Sequence, residues 1–365
     1  MKIRSFRLGM LRIPLKTPFK TALRTVEQVE DVVFALETED GRIGHGSAPA
    51  TAAITGDTHG SIIDALRHHL GPRLAGCDVS RLNDLTATIQ GALIGNSSAK
   101  AAAEIALHDL WGQLHGAPLY ALLGGGEPRL ETDITISVDT IDKMVADSLD
   151  AIAGGFTSLK VKVGKDMATD IERMRAVHDA VAGRAVLRLD ANQGWTARDA
   201  IHAIRTLEDA GVRMELVEQP VKAHDIDGLR EVTANARTPV MADESAFGPR
   251  EAVDLIRARA ADIINIKLMK AGGISNALKM ADIAAVLGAE CMMGCMLESP
   301  IGVTAAAHVA VSRSATITKI DLDGPSLCTH NPVHGTTRFD ASRIVLGDGP
   351  GLGIERIDGI EWLGG

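Results

Sequence analysis

SLKVKVG (residues 158–164), DMATDIERMRAVHDAVAG (166–183) and AVLRLDAN (185–192) follow one another along the chain. The outer two are short apolar runs rich in β-formers, while the middle segment carries its apolar residues at helical spacing and ends on Gly. One such strand–helix–strand passage predicts a β/α unit whose strands lie parallel and buried. The rhythm repeats from about residue 132. TDITISV (132–138), MELVEQP (214–220), PVMADES (239–245), DIINIKLMK (262–270), ECMMGCMLES (290–299) and ATITKIDLD (315–323) join the two runs above to make eight. Eight is the number that closes a TIM-type (β/α) barrel. An open doubly wound sheet competes, but such a nucleotide-binding fold wants a Gly-rich turn after its first strand, and none occurs.

Outside this region the pattern changes. MKIRSFRLGMLRIPL, the turn-rich ALRTVEQVE and DVVFALETEDGRIGHGSA suggest a small antiparallel sheet, and SAKAAAEIALHDLWGQLHG a helix with an apolar stripe. The expected organisation is an α+β capping domain over 1–125, a barrel over 126–323, and a Gly- and Pro-rich segment, 324–365, that returns to the capping domain.

Composition narrows the function. With 365 residues, 45% of them hydrophobic, the chain can bury a large core, and its net charge of -9 with no basic block excludes the footprint of a nucleic-acid binder. Aromatics at 3% leave little for base stacking. The four cysteines, Cys77, Cys291, Cys295 and Cys328, form no CxxC or zinc spacing. With no signal peptide and no apolar run of membrane length, the expectation is a cytoplasmic protein acting on a small molecule, without nucleic-acid or membrane partners.

The barrel runs end in charge, on the side where such barrels carry their active sites. Lys160 and Lys162 close the second run, Asp190 and Asn192 the third, Glu218 the fourth, Asp243 and Glu244 the fifth, Lys267 the sixth, Glu298 the seventh, and Asp321 and Asp323 the eighth. A lone acid after a strand commonly caps the next helix. Three acids on successive strands, Asp190, Glu218 and Asp243, instead converge on one mouth and repel unless a cation lies among them. An all-oxygen set favours a hard divalent ion, Mg2+, over zinc. Lys162 and Lys267 come from strands on either side of the acid-bearing three and would flank a chelated substrate. Lys160 lies on the same strand face as Lys162, so its charge is expected to disfavour charge on Lys162 and make it a usable base.

This constellation resembles the enolase superfamily, and within it the muconate-lactonizing-enzyme-like subgroup, over nearly the whole chain. The resemblance implies a capping domain over a barrel, Mg2+ on Asp190, Glu218 and Asp243, and abstraction of a proton α to a carboxylate. The eighth-run DLD, Asp321 and Asp323, is similar to the DxD of dipeptide epimerases, and two carboxylates at i and i+2 suit a substrate α-ammonium. TPFKTALRT is similar to a capping loop of L-Ala-D/L-Glu epimerases and implies that Arg24, or Lys20 in its place, meets the substrate's glutamate side chain. ITGD (54–57) would be a second capping loop. The resemblance further places Thr135, Cys295 and Met296 along the dipeptide, Asn192 behind the metal site and Glu244 against Lys267. It also implies a homo-oligomer. The expected reaction is two-base epimerisation at the C-terminal residue of a dipeptide, with cycloisomerisation, dehydration or a non-catalytic metal-binding barrel as rivals.

Overall fold

The computed structural model describes residues 1–20, 25–164 and 166–364. Eight strands pair in parallel in chain order: Ile134–Ile136, Ser158–Lys162, Val186–Asp190, Leu216–Glu218, Val240–Ala242, Ile263–Ile266, Glu290–Gly294 and Ile317–Asp321. Each lies inside one of the eight apolar runs, and together they form a nearly closed (β/α) barrel. These strands are buried along most of their length because one face fills the barrel and the other meets helices. Connecting helices start where a side-chain oxygen can take an otherwise unpaired N–H: Thr140, Asp166, Thr196 and Asp225 each accept from the backbone three residues on.

The first and eighth barrel strands stand at the two ends of the paired order, and side chains close the seam between them. Leu322 N–H donates to Thr132 Oγ1 at 2.7 Å and Thr135 N–H to Asp323 Oδ2 at 2.8 Å. Arg188, from the third strand, donates across the interior to Asp133 at 2.7 Å and to the Ile320 carbonyl at 2.9 Å.

An antiparallel sheet precedes the barrel, built from Ile3–Lys20, Thr25–Thr38 and Ile43–Pro49, with Glu361–Trp362 along its edge. Within ALRTVEQVE the turn-rich expectation fails from Thr25 onward. Residues Thr25–Glu30 pair with the first strand, and Arg12 meets Glu30 across the ladder at 3.0 Å, so cross-strand pairing overrides a polar local sequence. The helix Ser97–His115 is buried on almost every side rather than along one stripe. It lies between the sheet and the barrel, and the backbone approach is so close that a Cβ at Gly46 would stand 1.9 Å from the Ala102 carbonyl oxygen. Its buried polar groups all have work: Glu104 accepts from Ser275 N–H at 2.8 Å on a barrel helix, and Asp109 accepts from His45 N–H and Leu352 N–H at 2.9 Å each.

The tail meets the N-terminal sheet early, where Thr329 N–H donates to the Pro14 carbonyl at 2.9 Å and Cys328 bridges Leu15, and again through its last strand. Before that, Arg343–Val345 pairs with Arg129–Glu131 at the entry to the barrel, and Val333–Gly335 pairs with Ile354–Ile357. One apolar core runs from Phe34 and Leu36 of the sheet through Ala102 and Leu110 to Leu159 and Val161 of the barrel. Among the described residues, no helix is long and apolar enough to cross a membrane.

Candidate active site

Barrel register sets the site. Lys162, Asp190 and Glu218 are direct neighbours across the second, third and fourth strands, so their side chains leave the same face of the sheet side by side. Asp243 and Lys267 follow the fifth and sixth strands. The chain turns sharply just beyond the acids, with Asn192 and Gln219 at positive φ (44° and 36°), where Asn is tolerated better than most residues. Asn192 N–H donates to Asp190 Oδ1 at 2.8 Å, and Gln219 Oε1 accepts from Asp243 N–H at 2.9 Å and Ser245 N–H at 3.1 Å. The first turn therefore fixes its own carboxylate, Asp190, and the second fixes the backbone that carries Asp243.

Lys160 stands at the centre. Its Nζ lies 2.7 Å from Asp321 Oδ2, 2.8 Å from Glu218 Oε2 and 3.2 Å from Asp190 Oδ2, at 2% exposure. Lys162 Nζ is 2.5 Å from the same Asp190 oxygen. The KVK pair does share a face, and one carboxylate oxygen set between the two ammonium groups offsets their repulsion. Lys267 Nζ meets Asp243 Oδ2 at 2.8 Å; Lys270, not singled out from the sequence, stands 2.5 Å from Asp243 Oδ1 and donates to the Asn265 carbonyl at 3.0 Å.

Burial and charge then divide the protons. Burial disfavours the Lys160 cation, but Asp321, Glu218 and Asp190 outweigh it and hold this ammonium well above the usual lysine range. Lys267 is likewise raised, its burial outweighed by Asp243. Burial pushes Glu218 up to about 8 with help from Asp190, and Glu244 up to about 7 with help from Asp243. Asp323 rises to about 6 through burial and Asp321, while Lys160 overcomes burial to draw Asp321 down to about 2.

Among the described residues, no three acidic, His or Cys side chains are already gathered around a metal-sized space, because the lysines occupy the gaps between the acids. The donor set still fits a hard divalent cation. Glu218 Oε2 and Asp243 Oδ1 are buried without a well-directed hydrogen bond and rest against the ammonium groups of Lys160 at 2.8 Å and Lys270 at 2.5 Å, so these oxygens already sit where positive charge is required. Asp190, Glu218 and Asp243 are the residues that would hold Mg2+.

A cavity opens at this end of the barrel. Its polar lining comprises Thr135, Lys160, Lys162, Asn192, Asp243, Lys267, Asp321 and Asp323, with Cys295 and Met296 on one wall. Phe19, Ala53, Ile54, Leu297 and Leu327 make an apolar wall, with Ile54 brought in by the ITGD segment. Thus all the expected site residues except Arg24, Asp190, Glu218 and Glu244 line one space, and Asp190 is fully buried beside it, paired with Lys160 and Lys162. Arg24 lies outside the described residues. Glu218 sits behind Lys160, and Glu244 makes no hydrogen bond to Lys267; both Glu244 oxygens are buried without a partner, and Lys267 takes Asp243 instead. Lys20 is also spoken for, with Nζ on Asp139 at 2.7 Å.

The sequence reading passed over Asn265, which donates to Glu218 Oε1 at 2.8 Å, and Arg188 beneath Asp190. Both sit two residues before a chosen residue, on the same strand face, so the period-two rule that paired Lys160 with Lys162 marks them as well.

Comparison with known proteins agrees with this geometry. Residues 143–358 match the family described as Enolase C-terminal domain-like, and residues 7–124 match the Mandelate racemase / muconate lactonizing enzyme N-terminal domain. The chain belongs to the enolase superfamily. Among superfamily relatives, the L-Ala-D/L-Glu epimerase of Clostridium acetobutylicum is 50% identical over 358 residues, covering 98% of this chain and 100% of that protein. A substrate-liganded L-Ala-D/L-Glu epimerase from Bacillus subtilis superposes with a TM-score of 0.95 at 47% identity, covering 97% of this chain and 99% of that one. A dipeptide epimerase from Enterococcus faecalis, solved with Mg and L-Leu-L-Tyr, gives a TM-score of 0.94 at 40% identity, covering 98% of this chain and 100% of that one.

Proposed function

We propose that this protein is a Mg2+-dependent dipeptide epimerase, an isomerase that inverts the α-carbon of the C-terminal residue in substrates of the L-Ala-D/L-Glu type. The observation that carries the reading is the placement of two lysines. Lys162 ends the second strand and Lys267 follows the sixth, four steps apart around an eight-strand barrel, and both line one cavity. Amines on opposite sides of a substrate are what inversion at carbon needs.

Lys162, as the neutral amine after giving up its ion pair with Asp190 and passing a proton to solvent, would take the α-proton on one face at Nζ. Lys267 would return a proton to the opposite face, and its pairing with Asp243 keeps it loaded. In the reverse direction the two exchange tasks. Mg2+ on Asp190, Glu218 and Asp243 would supply positive charge that stabilises the negative charge developing as the proton leaves. Lys160 adds a fixed cation at the same place. Asp321 and Asp323 would receive the substrate ammonium, with Asp323 aimed by the Thr135 N–H. Asn192 would steady Asp190, and Cys295 and Met296 would contact the dipeptide's flank.

The wall of Phe19, Ile54 and Leu297 supports a second reading of specificity, in which an apolar dipeptide such as the L-Leu-L-Tyr seen in the Enterococcus relative competes with L-Ala-L-Glu. We place the protein in the cytoplasm: its four thiols are all free, which suits a reducing compartment. The test is incubation with Mg2+ and either dipeptide in D2O, followed by NMR. Deuterium at the C-terminal α-carbon together with the second diastereomer is expected; no exchange with any member of a small dipeptide panel refutes the reading.

A further inference from the structure

We propose that Asp31, a carboxylate of the N-terminal sheet, is a positioning residue for substrate, holding the cavity-lining segment 295–299 in place from the other domain. Asp31 lies on the strand Thr25–Thr38, does not line the cavity, and is fully buried. Its Oδ2 accepts from Ser299 N–H at 2.9 Å, and Ser47 of the adjacent strand places its hydroxyl 3.1 Å from that of Ser299. Ser299 precedes the helix Pro300–Ser312 and does not cap it with its own side chain, so Asp31 supplies a carboxylate where a helix start leaves N–H groups bare.

The segment tied down in this way is the one that carries Cys295, Met296 and Leu297 to the cavity wall. Glu298, also fully buried, turns away from the cavity and accepts from Met296 N–H at 3.0 Å; a Cβ at Gly302 would stand 2.0 Å from its other oxygen. Two carboxyl groups, each with one buried oxygen lacking a hydrogen bond, thus flank Ser299. Leu297 and Ile301 already pack on Leu11, Ile13, Val29 and Val33 of the sheet, which would suffice for adhesion alone. Apolar packing has no preferred direction, whereas a buried hydrogen bond does, and a buried acid is an expensive way to obtain it unless placement matters. Asp31 therefore sets where the 295–299 wall stands, and so how closely the substrate is gripped.

The kinetic arm of the test rests on the dipeptide-epimerase reading, and the exchange arm does not. Asp31→Ala, Asp31→Asn and Ser47→Ala are compared with the wild type in the full chain. For Asp31→Ala the KM for the accepted dipeptide is expected to rise about tenfold with kcat changed less than about threefold, and amide exchange of the 295–299 peptide to quicken about tenfold, the size of one buried hydrogen bond. Asp31→Asn, whose amide oxygen can accept the same N–H, should recover most of both. Unchanged exchange in a folded Asp31→Ala, an Asn variant as impaired as Ala, or an equal fall of kcat with KM fixed would overturn the assignment. If Asp31→Ala does not fold, Ser47→Ala decides: faster exchange at 295–299 supports the tie and unaltered exchange defeats it. If the wild type epimerises nothing, the functional reading falls and the exchange arm still judges Asp31.

Discussion

Replacing Lys160 by Met removes a charge while keeping most of the side chain's bulk, and the structure fixes what this should do. The ammonium it deletes serves Asp190, Glu218 and Asp321 at 2.7 to 3.2 Å in a site with almost no water. Removing one partner from a buried ion cluster costs about 3–5 kcal/mol, because the acids left behind lose their counter-ion. Unfolding entropy near 2.1 cal/mol/K per residue gives a chain of 365 residues a slope of about 0.8 kcal/mol per degree, so the metal-free variant should melt about 4–6 °C below the wild type. The loss should shrink as pH falls, since the abandoned acids can then take up protons in the folded state more readily than in the unfolded one. Mg2+ should reverse it. With the competing lysine gone, the ion meets three acids and one cation fewer, and its affinity should rise about tenfold, or about 1.4 kcal/mol. Thermal melts with and without Mg2+ and calorimetric titration of the ion measure both quantities. An unchanged metal-free melting point, or weaker Mg2+ binding in the variant, would refute the account of Lys160 as the cation that stands among the acids.

Two further outcomes follow from the same structure. Lys162→Ala and Lys267→Ala should each lower epimerisation by at least about a hundredfold, the usual worth of a positioned acid or base, while exchange of the α-proton with D2O survives for one diastereomer and is complementary between the variants; full epimerisation by either would remove the two-base scheme. His308 is buried, accepts from Tyr120 N–H at 2.9 Å and is pushed by burial down to about 3. Its folded pKa lies below the unfolded value near 6.5, so the stability it contributes is present above that value and drains as pH falls, at up to about 1.4 kcal/mol per unit. His308→Asn should therefore lose less stability than the wild type between pH 6.5 and 4 in urea melts, and parallel curves would contradict this.

How much of this was legible in the sequence depends on how local the cause is. The barrel was legible because each β/α unit repeats one periodicity, and the site because residues at strand ends inherit its geometry: Lys162, Asp190 and Glu218 sit in register as their spacing of one unit requires. The extension of that strand back over Thr25–Glu30 was not, since a polar stretch becomes strand only through its partner. Ties such as Asp31 to Ser299, or Glu104 to Ser275, join residues whose separation carries no period and leaves no mark in a linear reading.

The KVK pair shows where local reasoning changes sign. Taken alone, Lys160 and Lys162 repel, and the sequence suggested that Lys160 works by discouraging its neighbour's charge. In the folded mouth, four lysines, Lys160, Lys162, Lys267 and Lys270, face six acids, Asp190, Glu218, Asp243, Glu244, Asp321 and Asp323, all of them buried. With every group ionised the mouth carries two surplus negative charges, and a low-dielectric site does not hold such an excess uncompensated. Two remedies suit the number: a divalent cation, or protons on the two acids most strongly lifted, Glu218 at about 8 and Glu244 at about 7. The two termini of a dipeptide, one ammonium and one carboxylate, leave that balance where it was, and a glutamate side chain adds one further negative charge. The acids that oblige the site to take a cation also hold Lys160 and Lys267 as ammonium groups, so what the fold must arrange is the parting of Lys162 from Asp190, the carboxylate it pairs with.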